Sequence, residues 1–235
     1  MIRALCLALS VAAATGCGWR SDGVRLHMTA STALDAPAFS DAAGIHWTAQ
    51  DGTEVTVTRG WVTVSALEIV PCPTSALRRV WSELGYGTAH AHTASRPTRI
   101  GDPTVVSARQ DAGGRTLLGT FQPPAARYCS LLITFAPADE DAALLPTEVD
   151  MVGKTLWLDG TRTPPFGTVQ PFHLESAGTG IADLALGPVQ LDEANLMGSQ
   201  PIDLHPAAWL DGVDFSAGDP GPAALAAVIA STIAR

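Results

Sequence analysis

The segment Arg127-Tyr-Cys-Ser-Leu-Leu-Ile-Thr-Phe135 decides the fold. Every second residue of it is apolar, so one face of an extended chain collects Cys129, Leu131, Ile133 and Phe135. Tyr128 falls on the opposite face. Successive side chains of a β-strand point to opposite faces, and this period of two is typical of a strand that packs one face against a core.

Seven other segments have the same strand-like character. They are Val24–Ala30, Glu54–Arg59, Trp61–Val70, Arg115–Phe121, Lys154–Leu158, Val169–Leu174 and Ile181–Leu191. Between segments lie the turn-forming pairs Asp51-Gly52, Gly113-Gly114, Asp159-Gly160 and Asp211-Gly212. Several short strands separated by such turns predict an all-β protein, an antiparallel β-sandwich.

Two helices interrupt this pattern. A short inserted helix is predicted at about residues 75–84, where apolar residues recur at helical spacing and Gly85 follows. A C-terminal helix is predicted at about residues 220–234, with Asp219 as its N-cap and Pro220 at its first position. We expect the second helix to pack on the sandwich or to cover one of its ends.

Composition limits the classes of function. The chain has 235 residues, of which 46% are apolar, enough to bury a core. It has 14 Lys and Arg against 23 Asp and Glu, and only Lys154 is a lysine. Because nucleic-acid binding relies on clustered positive charge, no nucleic-acid partner is expected.

The first residues have the pattern of an export signal. Arg3 precedes the apolar stretch Ala4–Ala14, which is too short to span a bilayer. Ala14-Thr15-Gly16-Cys17 then resembles a bacterial lipobox, which implies cleavage before Cys17 and lipidation of its thiol. An ordinary signal peptide cut nearby is the alternative.

This pattern predicts three regions. Residues 1–16 would be the signal peptide, 17–23 a lipidated linker and 24–235 a single β-sandwich domain. Gly18 follows the cysteine where an Asp would favour inner-membrane retention. We therefore expect an outer-membrane lipoprotein, on the periplasmic face or the cell surface, that meets the membrane through its lipid.

Two cysteines remain if Cys17 carries lipid. Cys72 and Cys129 are an even pair in an oxidising compartment, which favours a disulfide over two buried free thiols. Their bridge would close a loop of about 58 residues and stabilise the fold by ~4 kcal/mol through the entropy of the unfolded chain.

The most suggestive chemical motif is Gly87-Thr-Ala-His-Ala-His-Thr93. In extended chain His90 and His92 project from the same side, about 6.6 Å apart at Cα, and two such imidazoles can converge on one metal ion. Imidazole suits copper, zinc, nickel and iron. The alternative is an exposed polar loop whose histidines bind nothing.

A third ligand must come from elsewhere in the chain, because two imidazoles seldom complete a site. His173 is the first candidate, since it lies in a strand-like segment where Glu175 would share its face. His46 near a turn is the second, and His205 in a loop and His27 on a solvated strand position follow.

No common catalytic motif is present in the sequence. It contains no Gly-x-Ser-x-Gly, no Walker loop, no His-Glu-x-x-His and no Cys-x-x-Cys. We therefore predict that the protein is not an enzyme.

Three stretches resemble a known family. Thr56–Ile69 resembles the early strand pair of the MbnP-like family, the copper-binding β-sandwich proteins of the MopE and CorA type. Pro123–Tyr128 is similar to its lead into a central strand, and Leu184–Phe215 to its run of strand, turn and Asp-Gly-Val-Asp. The chain also resembles uncharacterised lipoproteins of GC-rich bacteria that carry an Ala-His-Ala-His segment.

The resemblance implies a copper site. In that family copper lies between two histidines beside a tryptophan that can be oxidised to kynurenine, which makes His90 and His92 the counterparts in chemistry. This chain has no Trp-x-His triplet, and its adjacent pair is His46-Trp47.

Two functions from different classes remain open. The first is an envelope lipoprotein that binds a transition metal, copper first, through His90, His92 and His173, for sequestration or delivery. The second is a structural or interaction β-sandwich lipoprotein with no metal, which presents its surface to an envelope protein partner.

Overall fold

A computed structural model describes residues 23–35, 37–72, 96–109, 114–192, 194–211, 213–215 and 219–234. Its strands are β1 (Arg25–Thr32), β2 (Phe39–Ser40), β3 (Ile45–Thr48), β4 (Glu54–Pro71), β5 (Arg99–Ile100), β6 (Thr104–Ser107), β7 (Thr116–Phe121), β8 (Ala126–Phe135), β9 (Leu156–Thr163), β10 (Gln170–Ser176), β11 (Gly180–Leu191), β12 (Met197–Leu204) and β13 (Ile233–Ala234). The helical elements are a 3₁₀ turn, Pro206–Ala208, and an α-helix, Gly221–Ser231.

The strands form two sheets. The smaller has the order β13-β12-β1-β7, and the larger is built on β4. β9 and then β8 pair along one side of β4, while β3, β6 and β5 pair in turn along the other. β10 extends the sheet beyond β9, and β11 extends it beyond β8. The predicted all-β sandwich is confirmed.

Among the described strands one pair is parallel, whereas the sequence predicts antiparallel pairing. β1 pairs with β12 in parallel, from Arg25 opposite Met197 to Thr32 opposite Leu204. These strands come from opposite ends of the domain, so no hairpin turn joins them and forces them to be antiparallel.

The strand-like segments Glu54–Arg59 and Trp61–Val70 are one 18-residue strand, β4. A register shift against β9 between Val57 and Arg59 marks the place where the two predicted segments join. A long strand that bends at a bulge serves both halves of the larger sheet.

Asp159-Gly160 is not a turn, and this prediction was wrong. Both residues lie inside β9, where Gly160 pairs with Val57 of β4 and with Phe172 of β10. A Cβ atom on residue 160 would overlap the carbonyl oxygen of Thr56. Glycine is present here because neighbouring backbone approaches closely, not because the chain turns.

The core lies between the sheets. Leu131, Ile133 and Phe135 of β8 are fully buried there, as their alternation predicts. Tyr128, assigned to the opposite face, is also buried, at 1% exposure, since register shifts in β8's pairings lie beside it. Its hydroxyl donates a hydrogen bond to the carbonyl oxygen of Pro124 at 2.8 Å, an arrangement like the tyrosine corner of other sandwiches.

The predicted disulfide is confirmed. Cys72 and Cys129 are bonded, with their Cα atoms 4.8 Å apart. The backbone N–H of Cys72 also donates to the carbonyl of Arg127 at 2.8 Å. The bridge therefore fastens the end of β4 to the start of β8.

The C-terminal helix is confirmed within shorter bounds. It runs from Gly221 to Ser231, and Thr232 already has extended backbone that leads into β13. Pro220 is the N-cap, one residue later than predicted, while the Asp219 carboxylate still accepts a hydrogen bond from the Gly221 N–H at 2.9 Å. The helix packs on β10 and β11. The helix predicted at 75–84 lies outside the described residues.

The sandwich has two distinct ends, set by the direction of β4. At the end of β4 lie the disulfide, the start of β8 and, through the β11–β12 turn, the first described residue, Gly23. We call this the N-terminal end. At the start of β4 lie the Asp51-Gly52 turn and the β9–β10 turn at residues 164–167, which we call the hairpin end. The 18 residues of β4 separate them by at most about 55 Å, at about 3.3 Å per residue.

Candidate functional site

Three of the predicted site residues, Cys17, His90 and His92, lie outside the described residues. The chain on either side of the histidine pair is described. Cys72, before it, is held by the disulfide. Arg96, after it, exchanges backbone hydrogen bonds of 2.9 Å with Arg99, which pairs with Glu68 of β4. Both flanks of the segment 73–95 are therefore fixed near the N-terminal end.

His173 lies on β10 at the surface, with 49% of its side chain exposed. β10 pairs with β9 so that His173 is opposite Asp159. Its Nε2 is 3.1 Å from Oε1 of Glu175, which shares its face of the strand as the sequence predicts. Its Nδ1 is 4.0 Å from Oδ1 of Asp159. The imidazole thus has a carboxylate on each side.

An aromatic ring and two cations complete this cluster. Trp157 of β9 meets the His173 ring edge-on, with ring centroids 5.0 Å apart. The Arg59 guanidinium lies 5.1 Å from the centre of the Trp157 ring and also forms an ion pair with Asp159. Nζ of Lys154 is 3.2 Å from Oε1 of Glu175. We call these residues the His173 cluster.

The charges of the cluster set the protonation of Glu175. Partial desolvation raises the pKa of Glu175, but hydrogen bonds from Lys154 and His173 lower it more, so its pKa falls below the ordinary value. Glu175 is therefore ionised at neutral pH and neutralised by its neighbours rather than free to take up a proton.

The geometry of the His173 cluster argues against a chelating metal site within it. Each carboxylate faces a different ring nitrogen, so Asp159 and Glu175 cannot both join His173 around one ion at the ~2.0–2.2 Å that a metal requires. Nowhere in the described ranges do three His, Cys, Asp or Glu side chains form a group able to hold a metal ion. A site that uses His173 needs donors from outside those ranges.

His46 lies in β3, close to the turn between β2 and β3. Its Nε2 is 2.9 Å from Oδ1 of Asp41, its Nδ1 is 3.0 Å from Oγ1 of Thr56, and Phe39 stacks on its ring at 4.8 Å. The hydrogen bond from His46 is the main cause that lowers the pKa of Asp41. Carboxylate, imidazole and hydroxyl follow one another as in a nucleophile relay. However, Thr56 lies in the interior of the sheet, because its strand pairs on both sides. Thr56 is opposite His46 of β3 on one side and opposite Thr161 of β9 on the other.

The remaining described histidines have separate partners. Nδ1 of His27 is 2.9 Å from Oγ1 of Thr120, and Nδ1 of His205 is 2.7 Å from Oδ2 of Asp35. His205 is buried at the start of the 3₁₀ turn, while His27 is half-buried on β1. The described histidines are therefore spread over the molecule, and each is engaged locally.

A polar groove that the sequence did not reveal lies beside the His46–Asp41 pair. It has a volume of about 560 Å³, and its lining includes Arg59, Arg109, Asp41 and Glu148. Arg109 spans it and donates to the carbonyls of Thr58, Asp41 and Ala42 at 3.2, 3.0 and 3.3 Å. The Arg109 guanidinium holds the β2–β3 turn in place, so the presence of this arginine in the groove has a structural reason.

Comparisons with known proteins do not assign this chain to a family. No family model, no curated protein and no solved structure matches the chain. Across the part of the chain that the structure describes, no helix combines the length and apolar character needed to cross a membrane.

Proposed function

We propose that this chain is an envelope lipoprotein that binds a transition metal, copper first, for sequestration or delivery. The observation that carries the proposal is the pair His90 and His92, two imidazoles spaced to converge on one ion. Cys17 carries the lipid that holds the protein at the outer membrane. The absence of a catalytic motif from the sequence favours storage or transfer of the metal over chemistry on a substrate.

The disulfide supports the proposed location of the protein outside the cytosol. Cys72 and Cys129 are bonded, and such bonds persist in oxidising compartments such as the periplasm or the cell surface. Copper bound there lies outside the reducing cytosol. A structural bridge at the first residue before the segment 73–95 also leaves these two sulfurs unavailable to the metal.

Chain length supports a location of the histidine pair and the lipid at the same end of the sandwich. His92 precedes Arg96 by four residues, a reach of at most about 14 Å in extended chain. Cys17 precedes Gly23 by six residues, a reach of about 21 Å. Arg96 and Gly23 both belong to the N-terminal end, so the metal pair is proposed to lie on the membrane side.

Of the three proposed ligands, His173 is the hardest to bring to a shared metal ion. Its cross-strand partner Asp159 pairs with Arg59 of β4, whereas Arg99 pairs with Glu68. Nine residues of β4 separate Arg59 from Glu68, about 30 Å in extended strand. The chain from His92 to Arg96 reaches at most about 14 Å, about half of this length, so His173 and His92 share one ion only if their side chains bridge the remainder.

Metal titration of the full chain in detergent tests the proposal. Copper(I), copper(II) and zinc(II) are added in turn, and binding is followed by calorimetry. We expect His90→Ala/His92→Ala to weaken copper binding at least about tenfold, as loss of two ligands should. His173→Ala is measured separately, and His27→Ala is the matched control because that ring pairs with Thr120. Equal binding by the double variant would remove the proposal.

The alternative is a metal-free interaction sandwich. A specific feature of the described surface, the turn at residues 164–167 with its exposed residues 165–167, favours it. Metal analysis of the protein purified from its own envelope separates the two, since the metal proposal requires a stoichiometric ion and the alternative requires none.

A further inference from the structure

A pocket lies between β5 and β7, apart from the groove beside the His46–Asp41 pair. It has a volume of about 440 Å³, within the range of about 300–1,000 Å³ that is typical of small-molecule sites. The polar part of its lining consists of Arg96, Arg99, Asp102, Thr120 and Gln122. Two arginines in one small pocket suggest a ligand that carries negative charge.

Arg96 and Arg99 lie directly opposite each other in a tight turn. The backbone N–H of each donates to the carbonyl of the other at 2.9 Å. In such a pair the Cβ atoms are about 4.5–5.5 Å apart and the side chains share one face. Like charges in these positions repel each other and destabilise the turn. An anion held between the two guanidiniums would remove this repulsion.

The turn that presents the two arginines is fastened to the rest of the fold. The carbonyl of Pro97 accepts a hydrogen bond from the N–H of Gln122 at 3.1 Å, after the end of β7. The carbonyl of Thr98 accepts one from the N–H of Ile69 in β4 at 3.0 Å. The ring of Pro97 restricts the backbone further. Because the backbone below the arginines is already ordered, ligand binding costs little conformational entropy there.

The two arginines differ in how their charges are neutralised. Nη1 of Arg99 is 3.4 Å from Oε2 of Glu68, in an ion pair at the surface. The exposed Arg96 forms no ion pair with a carboxylate of the described residues. The carboxylate of Asp102, also exposed, lies in the same pocket lining. Arg96 is thus the cation of this pair that is available to a ligand.

A third arginine lies beside the pocket. β1 pairs with β7 so that Leu26 is opposite Phe121, and the residues next to this pair, Arg25 and Gln122, therefore lie at the same edge of the sheet. Both are exposed. The three arginines exceed the two carboxylates by one positive charge, in a chain whose net charge is −9. The local charge is therefore opposite in sign to that of the whole chain, and it favours an anion.

We propose that this pocket binds a phosphate monoester. Such a group carries between one and two negative charges at neutral pH and has three terminal oxygens, so it can accept hydrogen bonds from Arg96 and Arg99 together. Pro97 and Ile100 line the remaining space, where the carbon skeleton of the ester lies. A soluble phosphate ester and a lipid headgroup offer the same phosphate chemistry to the two guanidiniums.

Calorimetric titration of the full chain in a non-ionic detergent, without phosphate in the buffer, tests the proposal. The probes are glycerol 3-phosphate and dihexanoyl phosphatidic acid, and dihexanoyl phosphatidylcholine, a phosphodiester with the same acyl chains, is the control. We expect saturable binding of a monoester and none of the control. Similar affinities for the two monoesters identify a soluble ligand, whereas an affinity at least about tenfold higher for phosphatidic acid identifies a lipid headgroup.

Arg96→Gln should weaken binding of the monoester at least about tenfold, as loss of charge-assisted hydrogen bonds does. Arg127→Gln is the matched control, because Arg127 is exposed at the same end of the sandwich but does not line the pocket. It removes the same charge and should change the affinity less than about twofold, since salt screens a distant surface charge. Circular dichroism and the Tm check that both variants keep the fold.

Three results would overturn the proposal. The first is the absence of saturable binding of both monoesters. The second is binding that Arg96→Gln leaves unchanged or that Arg127→Gln weakens equally. The third is equal binding of phosphatidylcholine. The titration contains no copper, so its outcome does not depend on the metal proposal.

Discussion

Tyr128 shows how a single residue joins sequence pattern to stability. It follows the sequence Pro123-Pro124-Ala125-Ala126-Arg127, and its hydroxyl returns to the carbonyl of Pro124 across the bend that these residues form. Burial raises the pKa of Tyr128 from its ordinary 10.0 to about 12. The phenol is therefore held neutral, as a hydrogen-bond donor, over the whole physiological range.

Replacing Tyr128 tests this arrangement. Tyr128→Phe should lower the free energy of unfolding by about 1 kcal/mol, because the Pro124 carbonyl loses its donor while the ring still fills the core. Since the folded pKa is the higher one, the contribution of Tyr128 is complete below pH 10.0 and is lost as pH rises toward 12. Urea unfolding at rising pH should show this decline in the wild type and a weaker one in the variant. The same decline in both would contradict it.

The His173 cluster makes a second prediction at this scale. Lys154 and His173 lower the pKa of Glu175 against the opposing effect of burial. Lys154→Met and His173→Ala should therefore each raise the pKa of Glu175, as measured by carbon-13 NMR of its carboxyl group. His27→Ala, distant from the cluster and paired with Thr120, should leave the pKa as it is. No change with either cluster variant would show that these contacts do not persist in solution.

At the scale of elements, β9 depends on close approach of its neighbours at Gly160. Gly160→Ala should lower the free energy of unfolding by about 2–3 kcal/mol, because the new methyl group overlaps the backbone of Thr56 and the strands must separate. Gly187→Ala in β11 is the matched control, since nothing lies within 4 Å of an added Cβ there. Urea denaturation measures both variants, and equal stability would show that β9 adjusts without cost.

The disulfide is the second element-scale prediction. Cys72→Ser/Cys129→Ser should destabilise the domain by about 4 kcal/mol. The bond joins residues 57 positions apart, and without it the unfolded chain regains conformational entropy. Guanidinium unfolding measures the difference. As a check, reductant should destabilise the wild type by a similar amount and leave the variant unchanged. A variant as stable as the oxidised wild type would disprove the contribution.

The sequence predicts the long strands well and the short ones poorly, for a physical reason. β8 and β11 carry enough alternating residues to define a face without their partners. β3 and β6 have only four residues each and exist through pairing with β4, which is a long-range contact. β12 contains Pro201, which weakens its pattern but is tolerated because β13 pairs with β12 only at Ile202 and Asp203.

The same distinction applies to the candidate site. Glu175 shares a face with His173 because they are two residues apart, and the sequence contains that information. Asp159 and Trp157 join the cluster only through the register of β9 against β10, which no local pattern specifies. His46 lies near a turn, as the sequence indicates, but its place in β3 depends on pairing with β4, which no local pattern specifies.

At the scale of the whole molecule, the two ends of the sandwich make the last prediction. If Cys17 is lipidated, about 21 Å of extended chain at most separates it from Gly23, so the N-terminal end stays near the bilayer. The hairpin end lies up to about 55 Å farther along β4. A fluorophore on a cysteine at Gln122, exposed near the N-terminal end, should be quenched strongly by headgroup-attached quenchers in vesicles that carry the full lipoprotein. The same fluorophore at Thr168 should be quenched weakly. Cys17→Ser should abolish quenching at both positions, whereas equal quenching in the lipidated protein would mean that the sandwich lies flat on the membrane.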